Sequence, residues 1–229
     1  MSNDLLIAAF LTWLTAAVIS LTGRGLFLAR ALLFFGSFAG IVAAVLVVPN
    51  GTPAVTLPTT LAGARVLFQI TPDGLWLLGF GLVPAALAGA LATPALQGRP
   101  GWLFGAAMSL IGALGVFGIR DGAGFLIAWE IMSFGGAVMI LSEKLSSDAG
   151  RPVLFMLSLL EVGTIALVVA VLVLAVAGHS FAFETYRAAG GNLAVTTLCA
   201  VGVLLLIGFG AKLGLLPFYE WFPAAYGSG

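Results

Sequence analysis

About seven times along its 229 residues the chain runs through roughly twenty apolar positions with little or no charge between them. A helix needs about that length to cross the hydrocarbon of a bilayer, where every backbone N–H and C=O must be satisfied within the segment itself. The candidate spans are Leu5–Thr22, Leu26–Val48, Leu75–Leu96, Trp102–Ile119, Ala123–Leu141, Pro152–Ala177 and Leu193–Leu216. Only 8% of the residues are charged and 61% are hydrophobic, against ~25% charged in a soluble domain. The expected fold is therefore an all-α membrane protein, a bundle of about seven transmembrane helices. Met1–Ser20 lacks a basic leader, so it is read as a span and not as a cleaved signal.

Several function classes drop out on composition. Nine basic residues balance nine acidic ones without a basic cluster, which excludes nucleic acid as a partner. One cysteine, Cys199, and one histidine, His179, cannot build a disulfide, a CxxC cluster or a bis-histidine haem. No cofactor or metal is expected on this chain. His179 reads as a loop residue and Cys199 as a small buried apolar side chain, while Met132, Met139 and Met156 read as packing. Trp76 and Trp102 stand where interfacial anchors are expected.

Between the spans, Pro49–Gly74 is the longest connection, and the alternation of Arg65-Val66-Leu67-Phe68-Gln69-Ile70 is that of a short hairpin. Ser142–Arg151 is charged and aqueous. Basic residues favour one side: Arg24, Arg30, Arg99, Lys144 and Arg151 against Arg65, Arg120 and Arg187. The positive-inside rule then puts the N-terminus outside.

The chemistry concentrates in the acids and the lysine left inside apolar runs. Glu130 lies about eight residues into the fifth candidate, ~12 Å deep at 1.5 Å per residue. Glu161 lies about nine residues into the sixth. A buried charge costs at least ~2.5 kcal/mol, so such residues usually mark ion or proton paths. The bland alternative is a protonated acid that glues helices together. Lys212 closes the seventh apolar run, where it could also snorkel to the headgroups. Gly208, Gly210 and Gly214 flank it and Pro217 follows, a pattern that breaks the seventh helix between Lys212 and Pro217. Glu220, just beyond, is a further relay or an interfacial acid.

Trp129-Glu130-Ile131-Met132-Ser133, Gly210-Ala211-Lys212-Leu213-Gly214-Leu215-Leu216-Pro217-Phe218 and Asp73-Gly74-Leu75 together resemble the antiporter-like, proton-pumping membrane subunits. That family is shared by respiratory complex I, Mrp-type cation/proton antiporters and group 4 membrane-bound hydrogenases. Within it, the wording stands nearest the hydrogenase-4 or formate hydrogenlyase B-type subunit. The resemblance implies that Glu130 and Lys212 interact and carry proton translocation, with Glu161 and Glu220 as candidate relays. It implies a bacterial or archaeal inner membrane, partner membrane subunits, a peripheral redox arm on other chains, and protons or Na⁺ as the transported ion. It also implies that residues 1–229 are a single transmembrane domain and the N-terminal part of a longer protein: 1–96 the first three helices, 97–229 an incomplete first inverted repeat. Glu220, and Ala224-Ala225-Tyr226-Gly227-Ser228-Gly229 after it, depart from the family's usual wording. Mrp-type Na⁺/H⁺ exchange and a purely structural membrane subunit are the two competing functions.

Overall fold

The computed structural model describes residues 2–47, 50–61, 63–91, 99–143, 150–215, 217–221 and 223. Lys144, Leu216, residues 224–229 and the end of the third candidate span beyond Leu91 lie outside them. Among the described residues there are eight α-helices: α1 (Ser2–Leu21), α2 (Leu26–Val47), α3 (Pro72–Leu91), α4 (Pro100–Gly118), α5 (Gly122–Glu143), α6 (Gly150–Gly178), the short α7 (Phe183–Gly191) and α8 (Val195–Leu213). A 3-10 turn (Phe218–Glu220) follows α8. The expected hairpin is present as β1 (Val55–Leu61) and β2 (Ala64–Phe68). Six stretches of the described residues, all but α3 and α7, are long and apolar enough to cross a membrane. This is an all-α membrane fold.

The helix ends follow local chemistry. Thr71 caps α3, its hydroxyl accepting the Gly74 N–H at 3.2 Å, with Pro72 and Asp73 in the first turn, where a fixed φ and a negative charge both suit a helix start. α3 then runs through Pro84 without ending. Asp121 caps α5, accepting the Gly124 N–H at 2.7 Å. The Arg99 guanidinium donates to the Ser142 carbonyl near the far end of α5, placing a cation where the helix dipole is negative. His179 closes α6 with φ +51°, its N–H reaching the Val176 carbonyl while Ser180 N–H reaches Ala175. That is a Schellman closure with a histidine where glycine is usual.

The chain forms two compact units. In the first, spanning 1–56, 67–119 and 127–145, helices α1 to α4 share one core. Trp13, Leu33, Leu75, Leu82 and Leu103 are fully buried there. Trp102 is only 4% exposed and belongs to this core, whereas Trp76 is exposed as an anchor would be. α5 lies against α4 with almost nothing between the backbones. A Cβ on Gly112 would sit 2.4 Å from the Met132 nitrogen, and one on Gly105 2.6 Å from the Gly135 carbonyl oxygen. Lipid supplies no hydrophobic drive between helices, so close packing and interhelical hydrogen bonds carry association. Ser109 adds one, donating to the Met132 carbonyl at 3.3 Å. Phe68 rests on Gly118, and the Gln69 N–H donates to the Gly118 carbonyl at 2.7 Å, so the hairpin's exit is fixed to the end of α4.

The second unit comprises 57–66, 120–126 and 146–229. Here α6 packs antiparallel on α8, with Ala170, Leu174 and Val201 as a small core.

Two stability outcomes follow. Gly112→Leu forces α4 from α5 and should cost about 1–3 kcal/mol, read as a lower unfolding midpoint in detergent. His179→Gly removes a left-handed strain worth ~1–2 kcal/mol and should raise the same midpoint.

Candidate functional site

Glu130 is the ninth residue of α5 and belongs to the first unit. Ala128 and Met132 press against Gly115 and Gly112 of α4. At ~100° per residue, Glu130 projects from the opposite side of the helix. It is half-buried there, and one turn on, Ser133 donates back to the Trp129 carbonyl at 3.0 Å.

Glu161, Lys212 and Glu220 belong to the second unit. α6 and α8 meet at Gly163 and Gly208: a Cβ on either would lie 3.0 Å from the other's carbonyl oxygen, and one on Gly163 would be 2.7 Å from the Ala211 Cβ. Lys212 follows Ala211 in the last turn of α8 and is half-buried. The helix stops there because Gly214 turns left-handed, φ +64°. Its N–H donates to Ala211 at 3.3 Å and the Leu215 N–H to Gly210 at 2.9 Å, the paired bonds of a Schellman motif. Trp221 then folds back and its indole donates to the Ala211 carbonyl at 2.9 Å.

The break between Lys212 and Pro217 is therefore present, but its cause differs from the sequence expectation. Pro217 comes after the helix has already closed, so its ring has no helical carbonyl of Leu213 to strike. The lysine sits at the negative end of the helix dipole, which favours its charge.

Glu161 is exposed on the outer face of α6, beside Val162 and in register with Ile165 and Val169. Glu161 thus faces outward from its unit. Glu220 is exposed on the 3-10 turn. Cys199 is exposed on α8, contrary to the buried reading, because an apolar helix face can meet lipid as well as protein. Met156 is buried and Met139 packs on the first core, as expected.

Sequence reasoning passed over a second cluster. The Gly122 N–H donates to Phe181 at 2.8 Å and the Phe183 N–H to Arg120 at 3.0 Å, tying the start of α5 to the start of α7. Tyr186 lies over Gly122, where a Cβ would be 2.3 Å from its hydroxyl. Burial, and then the Asp121 charge, push the Tyr186 phenol up to about 12. The signal available was Asp121 as a helix cap, which by itself points only to structure.

Residues 120–229 match the family described as NADH:quinone oxidoreductase/Mrp antiporter, TM. An uncharacterised protein of Mycobacterium tuberculosis is 36% identical over 124 residues, covering 54% of this chain and 18% of that protein. Hydrogenase-4 component B of Escherichia coli strain K12 is 28% identical over 104 residues, 44% of this chain and 15% of that protein. The matches thus span under a fifth of these relatives' length. Among solved structures, the chain resembles one from the archaeal membrane-bound sulfane sulfur reductase, TM-score 0.78 at 22% identity, over 96% of this chain and 36% of that one. It also resembles a chain of respiratory complex I from Thermus thermophilus, TM-score 0.75 at 15% identity, over 99% and 47%. A chain of the Mrp complex from Dietzia sp. DQ12-45-1b gives 0.75 at 18%, over 98% and 43%. At these identities the structural likeness is one of fold.

If Gly214 makes the break, Gly214→Ala should cost ~1–2 kcal/mol and Pro217→Ala clearly less. Trp221→Phe should cost about 1 kcal/mol, the net worth of one hydrogen bond. Thermal unfolding of the three variants ranks them.

Proposed function

From a chain whose residues 120–229 match the model of the NADH:quinone oxidoreductase/Mrp antiporter transmembrane family, we propose that it is part of a proton-translocating subunit of a respiratory oxidoreductase complex of the hydrogenase-4, formate hydrogenlyase or NADH:quinone oxidoreductase kind. The observation that carries the reading is the closure of α8 directly after Lys212, inside the matched region. A lysine at a broken helix end, half-buried in an apolar span, stands where an ion path through the membrane would need a charge-bearing group. Such interrupted helices are where transporters place their ion sites.

Glu130 is the second carrier in this reading, an acid in the ninth position of an apolar span. Glu161 is a third. An ionised carboxylate facing lipid would be costly, so its outward position is explained best by a further membrane segment or subunit that covers it. Glu220 serves as a relay at the edge of the break. The redox chemistry resides on other chains, in a peripheral arm. The protein lies in a bacterial or archaeal inner membrane, with its N-terminus outside and the Arg24, Arg99 and Arg151 side facing the cytoplasm.

An Mrp-type Na⁺/H⁺ antiporter subunit is the second reading, favoured by the same family match. Cation exchange by the complex without any electron donor would select it.

The decisive experiment uses the full-length protein in its complex, reconstituted in vesicles. Glu130→Gln and Lys212→Ala should each lower proton translocation by at least about tenfold, since a positioned proton carrier contributes ~10²–10⁴ in rate, while the complex still assembles. Wild-type translocation in either variant would overturn the assignment.

A further inference from the structure

We propose that Asp121 and Tyr186 form a hydrated proton-exchange site at the membrane mouth of α5, with water held between the free carboxylate oxygen and the phenol. The inference rests on the proton-translocating reading and adds to it a place where protons meet bulk water.

The two oxygens are set by different elements yet converge on one peptide. Asp121 Oδ1 is committed to the cap, accepting the Gly124 N–H at 2.7 Å. That bond fixes the carboxyl group, and Asp121 Oδ2 is then buried without a hydrogen-bond partner among the described residues. Tyr186 Oη is buried in the same condition, and it rests on Gly122, the residue after Asp121. Only glycine leaves room for it. The two backbone bonds between 120–122 and 181–183 hold the elements together. Phe183 packs edge-on against both Phe125, at 5.8 Å, and Tyr186, at 5.6 Å, forming an aromatic wall on one side of the pair.

A buried polar atom left unpaired costs ~1–3 kcal/mol. Two such atoms of complementary type, with the Asp121 charge felt at the phenol, are polar surroundings of the kind in which an internal water is stable. The phenol stays protonated across the physiological range, because burial and then Asp121 raise it to about 12. It is therefore a fixed hydroxyl. A hydronium ion gives its proton to Asp121 Oδ2, leaving a neutral acid and a water; the reverse step returns the proton to that water. No other bond is made or broken. The position suits exchange with bulk: Asp121 stands in the turn between two spans, and the same helix carries Glu130 nine residues further on.

The variants separate this role from packing. Asn caps a helix about as well as Asp, so Asp121→Asn keeps the turn and removes the proton site. Tyr186→Phe removes one oxygen and keeps the ring on Phe183. In the full-length protein within its complex in vesicles, each should slow proton translocation at least threefold. The unfolding midpoint should be unchanged or higher, and the double variant no slower than the slower single. Wild-type translocation in Tyr186→Phe, with or without a raised midpoint, would show the hydroxyl to be packing only and overturn the proposal, even if Asp121→Asn failed to assemble. If both variants pump normally while Glu130→Gln does not, this site falls and the pump reading stands. If all three pump normally, both fall.

Discussion

Backbone polarity in hydrocarbon governs this molecule. Each N–H and C=O inside a bilayer must find a partner in its own segment or in packed protein, so interruptions of a span need explicit compensation. The closure of α8 shows how. Gly214 supplies the left-handed residue, Gly210 and Ala211 accept the returning N–H groups, and the Trp221 indole brings a further donor to Ala211. A helix can thus stop next to Lys212 without leaving those carbonyls bare. The same economy closes α6, at the strain of a histidine in glycine's conformation.

Glycine has two separate uses here. At Gly214 it supplies a dihedral. At Gly105, Gly112, Gly135, Gly163 and Gly208 it supplies the absence of a side chain, letting one backbone touch another. Neighbouring helices in lipid gain little from burying apolar surface, so contact distance becomes the main variable under the sequence's control. Ala128 and Ala211 fill the same joints with the smallest side chain that fits.

The spans, the hairpin and the broken last helix were legible because they depend on run length, alternation and punctuation, all of which are local. What faces what was not. In water, apolar periodicity distinguishes core from surface; in a membrane both are apolar, so Cys199, read as buried, is exposed, and Trp102, read as an interfacial anchor, belongs to the core. Glu161 and Glu130 look alike in sequence, an acid in mid-span, yet one faces outward from its unit and the other is half-buried. The Asp121–Tyr186 pair was invisible because it joins residues 65 positions apart through a turn that no short motif marks. Pro217 misled in the opposite way: it is a strong breaker, but Gly214 acts three residues earlier.

The joint between α6 and α8 has a consequence for how this sequence can diverge. Most outward positions on these helices can exchange one aliphatic residue for another, since fluid chains adapt to any shape. Gly163 and Gly208 have no such freedom, because every codon change that alters either one adds a carbon where a carbonyl already stands. Lineages should therefore drift widely in the apolar lettering of these helices while holding the two glycines. That pair would serve better than overall identity for aligning distant members.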